Sequence, residues 1–363
     1  MTRNSRNSRK HRFSTSHRGQ GFPHLLNDRF LKAAKCEPVD IVPVWFMRQA
    51  GRYLKEYSAL RQKYTFDEMC RNPELAVKVA MLPVQILDVD AAILFCDLLT
   101  PAWAMGFEVI FEEGRPFVTN PIRTESDVSR MRLFEVREEL SFVMESVKIL
   151  RRELSVPLIG FAGGPFTLAS YLVEGAAANN YAKLKNLLNE RVSFVTRLFE
   201  VLTELSCRFL EAQIEAGVNA VQIFETWAGT LSQADFEHFI YPFLKEIIMR
   251  VKKPGVPVII YVNGVSDKIE LLARTGADVI SVDWRIDIGE ARKRAENSVA
   301  LQGNLDPSVL LQSEEVIVDK TREILDKAAV TPGFIFNLGH GILPETDVKK
   351  VKLVVETVHN FSP

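Results

Sequence analysis

Eight short runs of β-branched and aromatic residues recur along the chain, each followed by a loop and a longer stretch of helical character. Parallel strands need crossover connections, usually helices, so this alternation predicts a parallel sheet covered by helices. Several runs are continuously apolar, as in strands buried on both faces. Eight such units fit a single-domain (β/α)8 TIM barrel better than an open sheet. The predicted strands are residues 43–48, 91–97, 157–162, 220–225, 257–262, 278–284, 298–303 and 334–338.

One segment between the second and third predicted strands departs from this rhythm. Residues 107–120, FEVIFEEGRPFVTN, alternate apolar and polar positions with period two around Glu113 and Gly114. Such alternation about a Gly-containing turn predicts a β-hairpin. We expect it to be an insertion after the second strand rather than an additional barrel strand.

Helix boundaries are marked by capping residues and prolines. Asn72-Pro73 predicts an N-cap and a first-turn proline, and Pro83 is expected to kink or end that helix. The stretch 183–216 is too long for one typical helix, so we predict two, ended by Gly217. Ser232 with Asp235 predicts a further N-cap.

Composition excludes several classes of protein. The chain has 363 residues, 47% hydrophobic and 25% charged, which is typical of a globular protein with a sizeable core. Its four cysteines are scattered without a C-x-x-C pair, and no secretory signal is recognised, so we expect a reducing, cytoplasmic location. No apolar run approaches the length of a membrane span, so no membrane association is expected.

The basic residues are unevenly distributed. Residues 1–24 contain six arginines and lysines and no acid, whereas the whole chain has a net charge of −1, so the remainder carries −7. We predict that residues 1–24 form a disordered arm and that residues 25–363 form the barrel domain. The arm is interpreted as an organelle transit peptide, a nucleic-acid tether or a start-site extension. The acidic body argues against a nucleic-acid function.

Polar residues cluster where the predicted strands end, which is where catalytic groups of a barrel lie. With an apolar floor, such a rim suits a large, flat, partly apolar ligand with acidic edges. The rim residues are Arg48, Gln49, Arg52, Asp97, Glu225, Thr226, Asn263, Asp283, Arg285, Asn304, Asp306 and His340. The floor residues are Phe46, Met47, Phe95, Phe161, Phe224 and Trp227.

Five of the candidate side chains have alternative structural roles. Arg48 and Arg52, four residues apart, suit bidentate recognition of carboxylate or phosphate, but they could instead pair with rim acids such as Asp97. Asp97 could simply cap the following loop. His340 lies between two glycines in NLGHG and is the one histidine at a predicted strand end. Tyr171 falls about nine residues beyond the third strand, where a core role is the simpler interpretation.

Six segments taken together resemble the uroporphyrinogen decarboxylase family, in order and at family spacing from about residue 27 to the C-terminus. They are PVWFMRQAGRYL (43–54), FCDLLTPAWAMG (95–106), GFAGGPFTLASYLVEG (160–175), QIFETWAG (222–229), LQGNLDP (301–307) and NLGHGILPETD (337–347).

The resemblance implies a homodimeric, distorted (β/α)8 barrel of porphyrin and haem biosynthesis. Such an enzyme is a carboxy-lyase that removes the four acetate carboxyls of uroporphyrinogen III, giving coproporphyrinogen III and four CO2 without metal or organic cofactor. It also implies that Asp97 and Arg48 are catalytic. The implied substrate-binding residues are Arg48, Gln49, Ala50, Gly51, Arg52, Arg61, Asp97, Tyr171, Thr226 and His340. Thr226 stands where some members have serine, and it keeps the hydroxyl.

The reaction itself indicates what these residues must do. Loss of CO2 from a pyrrole acetate needs an electron sink, and protonation of the adjacent pyrrole carbon provides one within the substrate. Asp97 is expected to accept the pyrrole N–H groups and to stabilise the developing positive charge. Arg48 is the proton donor that the resemblance indicates, but guanidinium is a poor acid, and Tyr171, His340 or an arginine-oriented water are alternatives.

Two other functions are less consistent with the sequence. Cobalamin-dependent methyltransferases share the barrel, but they need cysteines near the fifth and eighth strands, and all cysteines here precede residue 208. A non-catalytic tetrapyrrole-binding protein would be expected to have lost Asp97 or the arginine pair, and both are present.

Overall fold

The computed structural model describes residues 22–112, 115–178, 180–329 and 331–362. Seven of its strands form a parallel sheet in the order β1-β4-β5-β6-β7-β8-β9, and β2 and β3 form a separate antiparallel pair. The strands are β1 (Ala92–Ile93), β2 (Val109–Glu112), β3 (Arg115–Val118), β4 (Leu158–Gly163), β5 (Ala220–Phe224), β6 (Val258–Tyr261), β7 (Val279–Ser281), β8 (Ala300–Leu305) and β9 (Phe334–Leu338).

The segment around Val44 occupies the eighth position of the barrel. Val44 pairs in parallel with Phe336 of β9, and on its other side the Asp90 N–H donates to the Val44 carbonyl at 2.8 Å, next to β1. The segment therefore connects the two outer strands of the sheet. The predicted α/β TIM-barrel fold is confirmed, with seven regular strands and one irregular position.

The predicted strand at 43–48 was wrong in detail, because only Val44 makes a ladder contact. Side chains take the backbone donors that a regular strand would use. The Val44 N–H donates to Asp90 Oδ2 at 2.8 Å, the Phe46 N–H to Gln49 Oε1 at 3.1 Å and the Met47 N–H to Asn337 Oδ1 at 3.1 Å. Bonds to side chains release the backbone from the ladder and let it turn sharply after residue 47.

Two further strands are shorter than predicted, and the hairpin is where it was expected. The strand predicted at 91–97 is reduced to Ala92–Ile93 and that at 278–284 to Val279–Ser281. In both, the strand stops before an aspartate whose side chain accepts backbone N–H groups of nearby loops. The hairpin pairs Val109 with Val118 through Glu112 with Arg115. Its predicted turn, Glu113-Gly114, lies outside the described residues.

Helices cover the sheet and follow most of the capping predictions. Asn72 Oδ1 accepts the Leu75 N–H at 3.2 Å and so caps the helix that begins at Pro73. Gly217, with φ of +116°, ends the second of the two predicted helices. Ser232 Oγ accepts the Asp235 N–H at 3.1 Å. Pro83 was expected to kink or end its helix, and it does not end it: the helix continues to Leu87, with its buried apolar face packed on the barrel.

The α-helices are α1 (Arg29–Ala34), α2 (Lys55–Arg61), α3 (Phe66–Arg71), α4 (Pro73–Leu87), α5 (Thr100–Ala104), α6 (Glu125–Ser129), α7 (Val136–Glu139), α8 (Ser141–Glu153), α9 (Pro165–Glu174), α10 (Ala182–Glu190), α11 (Val192–Ala216), α12 (Gln233–Asp235), α13 (Tyr241–Val251), α14 (Ile269–Ala273), α15 (Ile288–Arg294), α16 (Glu314–Ala328) and α17 (Val348–His359). Short 3₁₀ helices span Ala228–Thr230 and Pro307–Leu311, and a π-helical turn spans Phe236–Ile240. Within the described ranges, no helix is both long and apolar enough to cross a bilayer.

A buried polar layer crosses the barrel interior. Trp45 Nε1 donates to Gln302 Oε1 at 2.8 Å, and Gln302 Nε2 donates to Ser281 Oγ at 2.9 Å and to Gln222 Oε1 at 3.1 Å. All four side chains are fully buried. Most of their polar groups bond to one another, which limits the cost of burying them, and Gln222 Nε2 alone of the layer is left without a hydrogen-bond partner among the described residues.

Candidate active site

Arg48 projects from the sharp turn that follows the irregular first strand. Its φ of +59° is in the left-handed region, which non-glycine residues rarely adopt. The Met47 carbonyl accepts the Ile342 N–H at 3.0 Å, which joins this turn to the loop after β9. The Arg48 side chain lies across Gly341 in that loop, where a Cβ atom would come within 2.6 Å of Arg48 Cγ. Arg48 is therefore held against the loop that carries His340.

Asp97 lies in the turn that follows β1. Its Oδ1 accepts the Leu99 N–H at 2.8 Å, and its own N–H donates to Thr100 Oγ1 at 3.2 Å, so the turn fixes the carboxylate. Burial raises the pKa of Asp97 to about 6, against the Leu99 N–H and the charge of Arg48, which favour the ionised form. No ion pair within 4.0 Å engages Asp97 in the described part of the chain. Its carboxylate is thus available to a cationic or N–H-bearing ligand.

His340 is fixed in one neutral form. Its Nδ1 accepts the Gly341 N–H at 2.7 Å, so the proton of the neutral ring resides on Nε2. Burial, together with the charges of Arg48 and Arg285, lowers the pKa of His340 to about 4. The ring also contacts Tyr261 edge-on, with centroids 6.2 Å apart. At neutral pH His340 can donate a hydrogen bond through Nε2 but carries no charge.

Tyr171 and Thr226 are positioned by a network around Glu225, at the end of β5. Glu225 is fully buried, and its carboxylate accepts the Thr167 N–H at 2.7 Å and the Phe166 N–H at 3.2 Å. It thereby caps α9, the helix that carries Tyr171. Burial raises the pKa of the Tyr171 phenol, and the neighbouring Trp227 side chain opposes that rise. Thr226 is buried between Glu225 and Trp227.

The capping role of Glu225 was missed by sequence reasoning, which placed it on the rim without a function. Thr167 Oγ1 donates to Glu225 Oε1 at 2.8 Å and accepts the Trp227 N–H at 3.2 Å. A Cβ on Gly164 would come within 2.6 Å of Glu225 Cδ, so the Gly-Gly-Pro turn is what admits the carboxylate. The signal available in the sequence was Gly164-Pro165, a helix start without a capping side chain.

The remaining predicted residues have different placements. Gln49 is buried, and its side chain bonds to the Phe46 N–H and the Ala91 carbonyl, so it supports the turn rather than facing solvent. Ala50 and Gly51 continue that turn and are partly exposed. Arg52 and Arg61 lie near Tyr57, where their charges oppose the rise that burial causes in its pKa. The structure thus brings Arg48, Asp97, Tyr171 and His340 together, and places Arg52 and Arg61 in a neighbouring cationic region.

Three of the predicted floor residues pack on aromatic neighbours at the strand ends, whereas Phe46 is fully buried in the core. Phe161 contacts Phe224 with ring centroids 5.6 Å apart, and Phe224 contacts Tyr261 at 6.0 Å. On the other side, Phe95 contacts Tyr57 at 6.1 Å. A small crevice borders Asp97 on the side of α3, α5 and β2; its lining is mostly apolar and includes none of Arg48, Tyr171 and His340. The site therefore combines one buried carboxylate, cationic and neutral donors, and apolar ring surfaces.

The chain is similar to proteins of one family over most of its length. The family described as uroporphyrinogen decarboxylase (URO-D) matches residues 25–361. A uroporphyrinogen decarboxylase of Carboxydothermus hydrogenoformans is 48% identical over 93% of this chain and 97% of its own length. One of Geobacter metallireducens is 46% identical over 93% of this chain and 99% of its own.

Solved structures support the fold. A methyltransferase from Methanosarcina mazei superposes with a TM-score of 0.80 at 24% identity, over 93% of this chain and 98% of that chain. A B12-independent methionine synthase from a Shewanella species superposes with a TM-score of 0.52 at 14% identity, over 79% of this chain and 86% of that chain. At these identities the likeness concerns the barrel alone. The sequence relatives are far closer, and by them and by the family match the chain belongs to the uroporphyrinogen decarboxylase family.

Proposed function

We propose that this chain is a carboxy-lyase that converts uroporphyrinogen III to coproporphyrinogen III with release of four CO2, a step of porphyrin and haem biosynthesis. The observation that carries the proposal is the half-buried Asp97 carboxylate, which faces no ion-pair partner among the described residues and lies near Arg48 at the edge of an aromatic floor. A flexible tetrapyrrole with eight carboxylates and four pyrrole N–H groups complements such a site.

Asp97 is the residue that stabilises charge in this mechanism. Protonation of a pyrrole carbon makes the ring cationic; the carbon–carboxylate bond then breaks, its electron pair enters the ring system, and CO2 leaves. Protonation of the resulting methylene carbon and loss of the ring proton give a methyl group, so each cycle consumes one proton net. The Asp97 carboxylate accepts pyrrole N–H bonds and stabilises the cation in a site of low dielectric. Because the substrate supplies the electron sink, no cofactor is needed.

The donors around Asp97 have separate roles. Arg48 binds a carboxylate that does not react, because binding the departing carboxylate would stabilise the ground state and slow its loss. Arg48 also directs a proton to the pyrrole ring. His340 donates a neutral hydrogen bond from Nε2, since its Nδ1 is occupied by the Gly341 N–H. Tyr171 keeps its proton at neutral pH because burial raises the pKa of its phenol. Arg52 and Arg61 attract the outer carboxylates, and Gln49, Ala50, Gly51 and Thr226 shape the backbone that the substrate meets.

The product of the reaction tests the proposal. Purified, EDTA-treated protein is incubated anaerobically with uroporphyrinogen III, and the products are oxidised and separated by carboxylate number. The expected result is a series from heptacarboxylate to tetracarboxylate that ends in coproporphyrin. Tight binding of an unchanged octacarboxylate by the folded protein would instead favour a non-catalytic tetrapyrrole-binding role.

We further propose that the chain acts as a homodimer in the cytoplasm. The family resemblance motivates the dimer, and the four free cysteines suit a reducing compartment. Sedimentation equilibrium of the purified protein tests the dimer, with twice the 41.1 kDa chain mass as the expected result.

A further inference from the structure

A second arginine is oriented on the rim beside His340. Arg285 follows β7, and its Nη1 donates to Asn263 Oδ1 at 2.8 Å and lies 3.4 Å from Asp283 Oδ2. Its guanidinium carbon also lies 4.1 Å from the centroid of the Trp284 ring. The side chain nevertheless remains 47% exposed. Holding an exposed arginine in one rotamer costs conformational entropy. Because the three contacts already fix the Arg285 side chain, this cost does not fall on ligand binding, and the guanidinium is preorganised.

Most of the hydrogen-bonding capacity of this guanidinium is unused. Asp283 is fully buried, and its carboxylate already accepts the N–H groups of Gly264, Val265 and Arg285 itself. Asn263 is neutral and occupies Nη1. In the described part of the chain, Nε and Nη2 of Arg285 make no hydrogen bond. The fork therefore presents free donors to solvent, and the Asp283 carboxylate, already engaged by three backbone N–H groups, offsets its positive charge only in part.

The two glycines around His340 show where this arginine lies relative to the site. Gly339 is packed on the backbone before Arg285, since a Cβ there would come within 3.0 Å of both the Asp283 carbonyl carbon and the Trp284 ring. Gly341 is packed under the Arg48 side chain, as described above. His340 is thus flanked by Trp284-Arg285 on one side and by Arg48 on the other. The charges of both arginines act on the His340 ring.

We propose that Arg285 is a second anchoring residue, which binds a propionate carboxylate of the tetrapyrrole on the opposite side of His340 from Arg48. This inference rests on the proposed function, because the ligand is its substrate. The four propionates persist through the reaction, whereas each acetate must leave. A preorganised guanidinium that binds a propionate holds substrate, intermediates and product equally and does not oppose CO2 loss. Arg285 therefore determines affinity, and retention of intermediates between cycles, rather than the rate of the chemical step.

The test measures binding and turnover separately. Arg285→Gln, Arg285→Lys and Asn263→Ala are compared with wild type and with Arg322→Gln, a control that removes an exposed arginine from α16, remote in sequence from the strand ends. Binding of coproporphyrin, which retains the propionates, is measured by fluorescence, and uroporphyrinogen III turnover gives KM and kcat. Thermal unfolding shows whether each variant folds.

Loss of one charge-assisted carboxylate contact is expected to weaken coproporphyrin binding and to raise KM by about 10-fold in Arg285→Gln, with kcat within about 2-fold of wild type. Arg285→Lys should keep part of the affinity, Asn263→Ala should lose a smaller part, and Arg322→Gln should match wild type. Partly decarboxylated products should accumulate in Arg285→Gln.

Equal binding by Arg285→Gln and wild type, or a fall in kcat with unchanged KM, would overturn the anchoring role. If Arg285→Gln fails to fold, Arg285→Lys and Asn263→Ala test the anchoring role instead. Coproporphyrin binding that is unchanged in both variants would equally reject that role. A wild-type protein that binds coproporphyrin in an Arg285-dependent way but leaves uroporphyrinogen intact would refute the proposed function and leave the carboxylate site standing.

Discussion

The Arg48 side chain lies directly over Gly341, so that a Cβ atom at residue 341 would come within 2.6 Å of Arg48 Cγ and 3.0 Å of its Nε. The space left by the glycine is thus what admits the neighbouring arginine side chain. Through this contact the first barrel position and the last share one functional unit, with Arg48 and His340 on adjoining segments.

Gly341→Ala is expected to displace Arg48 and to lower kcat/KM by about 100-fold, because an ångström of misplacement can cost that much. Steady-state kinetics checks this, and Gly289→Ala on the outer helix α15 is the matched control. Near-normal activity of Gly341→Ala would show that the position of Arg48 is not critical.

Arg48→Lys is expected to reduce turnover by at least 10-fold, because lysine keeps the charge but loses the planar fork. Arg130→Lys, on a solvent-exposed segment, serves as the control. Near-full turnover of Arg48→Lys would exclude a role that depends on guanidinium geometry.

Asp97 should dominate the acidic limb of the pH profile. Since burial raises its pKa from 3.8 to about 6, the free enzyme loses the carboxylate as the pH falls through 6, and kcat/KM should fall with it. The pKa of His340 is lowered to about 4, so this histidine stays neutral across that range. In His340→Asn, kcat/KM should therefore fall over the same acidic pH range, from a lower plateau. If this acidic fall disappears in His340→Asn, the titrating group is His340 and not Asp97.

The same pKa shift carries a stability prediction. A carboxyl whose folded-state pKa is raised stabilises the fold when protonated, and this contribution is lost as the pH rises through about 6. At pH 7 Asp97→Asn should therefore unfold at a higher temperature than wild type while losing activity, and the gain should shrink toward pH 4. Calorimetry at both pH values checks this. A lower unfolding temperature at pH 7 would mean that the carboxylate is stabilising.

Glu225→Gln is expected to lower the free energy of unfolding by about 1–3 kcal/mol, because an amide cannot accept hydrogen bonds at both of its heavy atoms. Burial raises the pKa of Glu225 to about 8, although the N–H groups of Phe166 and Thr167 favour its ionised form. Urea unfolding measures the loss, with Glu190→Gln at the end of α10 as the control. No difference between the two variants would remove Glu225 as the cap of α9.

The barrel rhythm was predictable from sequence because strand period and helix caps are local properties. The hairpin at 107–120, the helix break before Val192 and the N-cap Asn72 all follow from neighbours within a few residues. The irregular first strand could not be predicted in this way, because its backbone N–H groups bond to the side chains of Asp90 and Asn337, which are far away in the chain. Of the two outcomes expected at Pro83, a kink or a helix end, the end is excluded for the same reason, because tertiary packing maintains the helix to Leu87.

The site was predictable as a set of residues and not as a set of roles. Arg48, Asp97, Tyr171 and His340 were singled out by strand-end position and family resemblance, but the Nδ1 bond that makes His340 neutral depends on the loop conformation. The capping role of Glu225 and the stacking of Arg285 on Trp284 depend on contacts between different strand ends. Such contacts have no local sequence signature beyond Gly164 and Gly339, which provide the space.

The CO2 released per tetrapyrrole in a single turnover tests the central claim most directly. Metal-depleted wild-type protein in excess over uroporphyrinogen III should release four CO2 per tetrapyrrole. Asp97→Asn, while still binding coproporphyrin, should be slower by about 10²–10³-fold, the loss expected for one electrostatic stabiliser of a transition state. Wild-type protein that releases no CO2 would contradict the decarboxylase assignment, and Asp97→Asn releasing CO2 at the wild-type rate would contradict the role of the carboxylate.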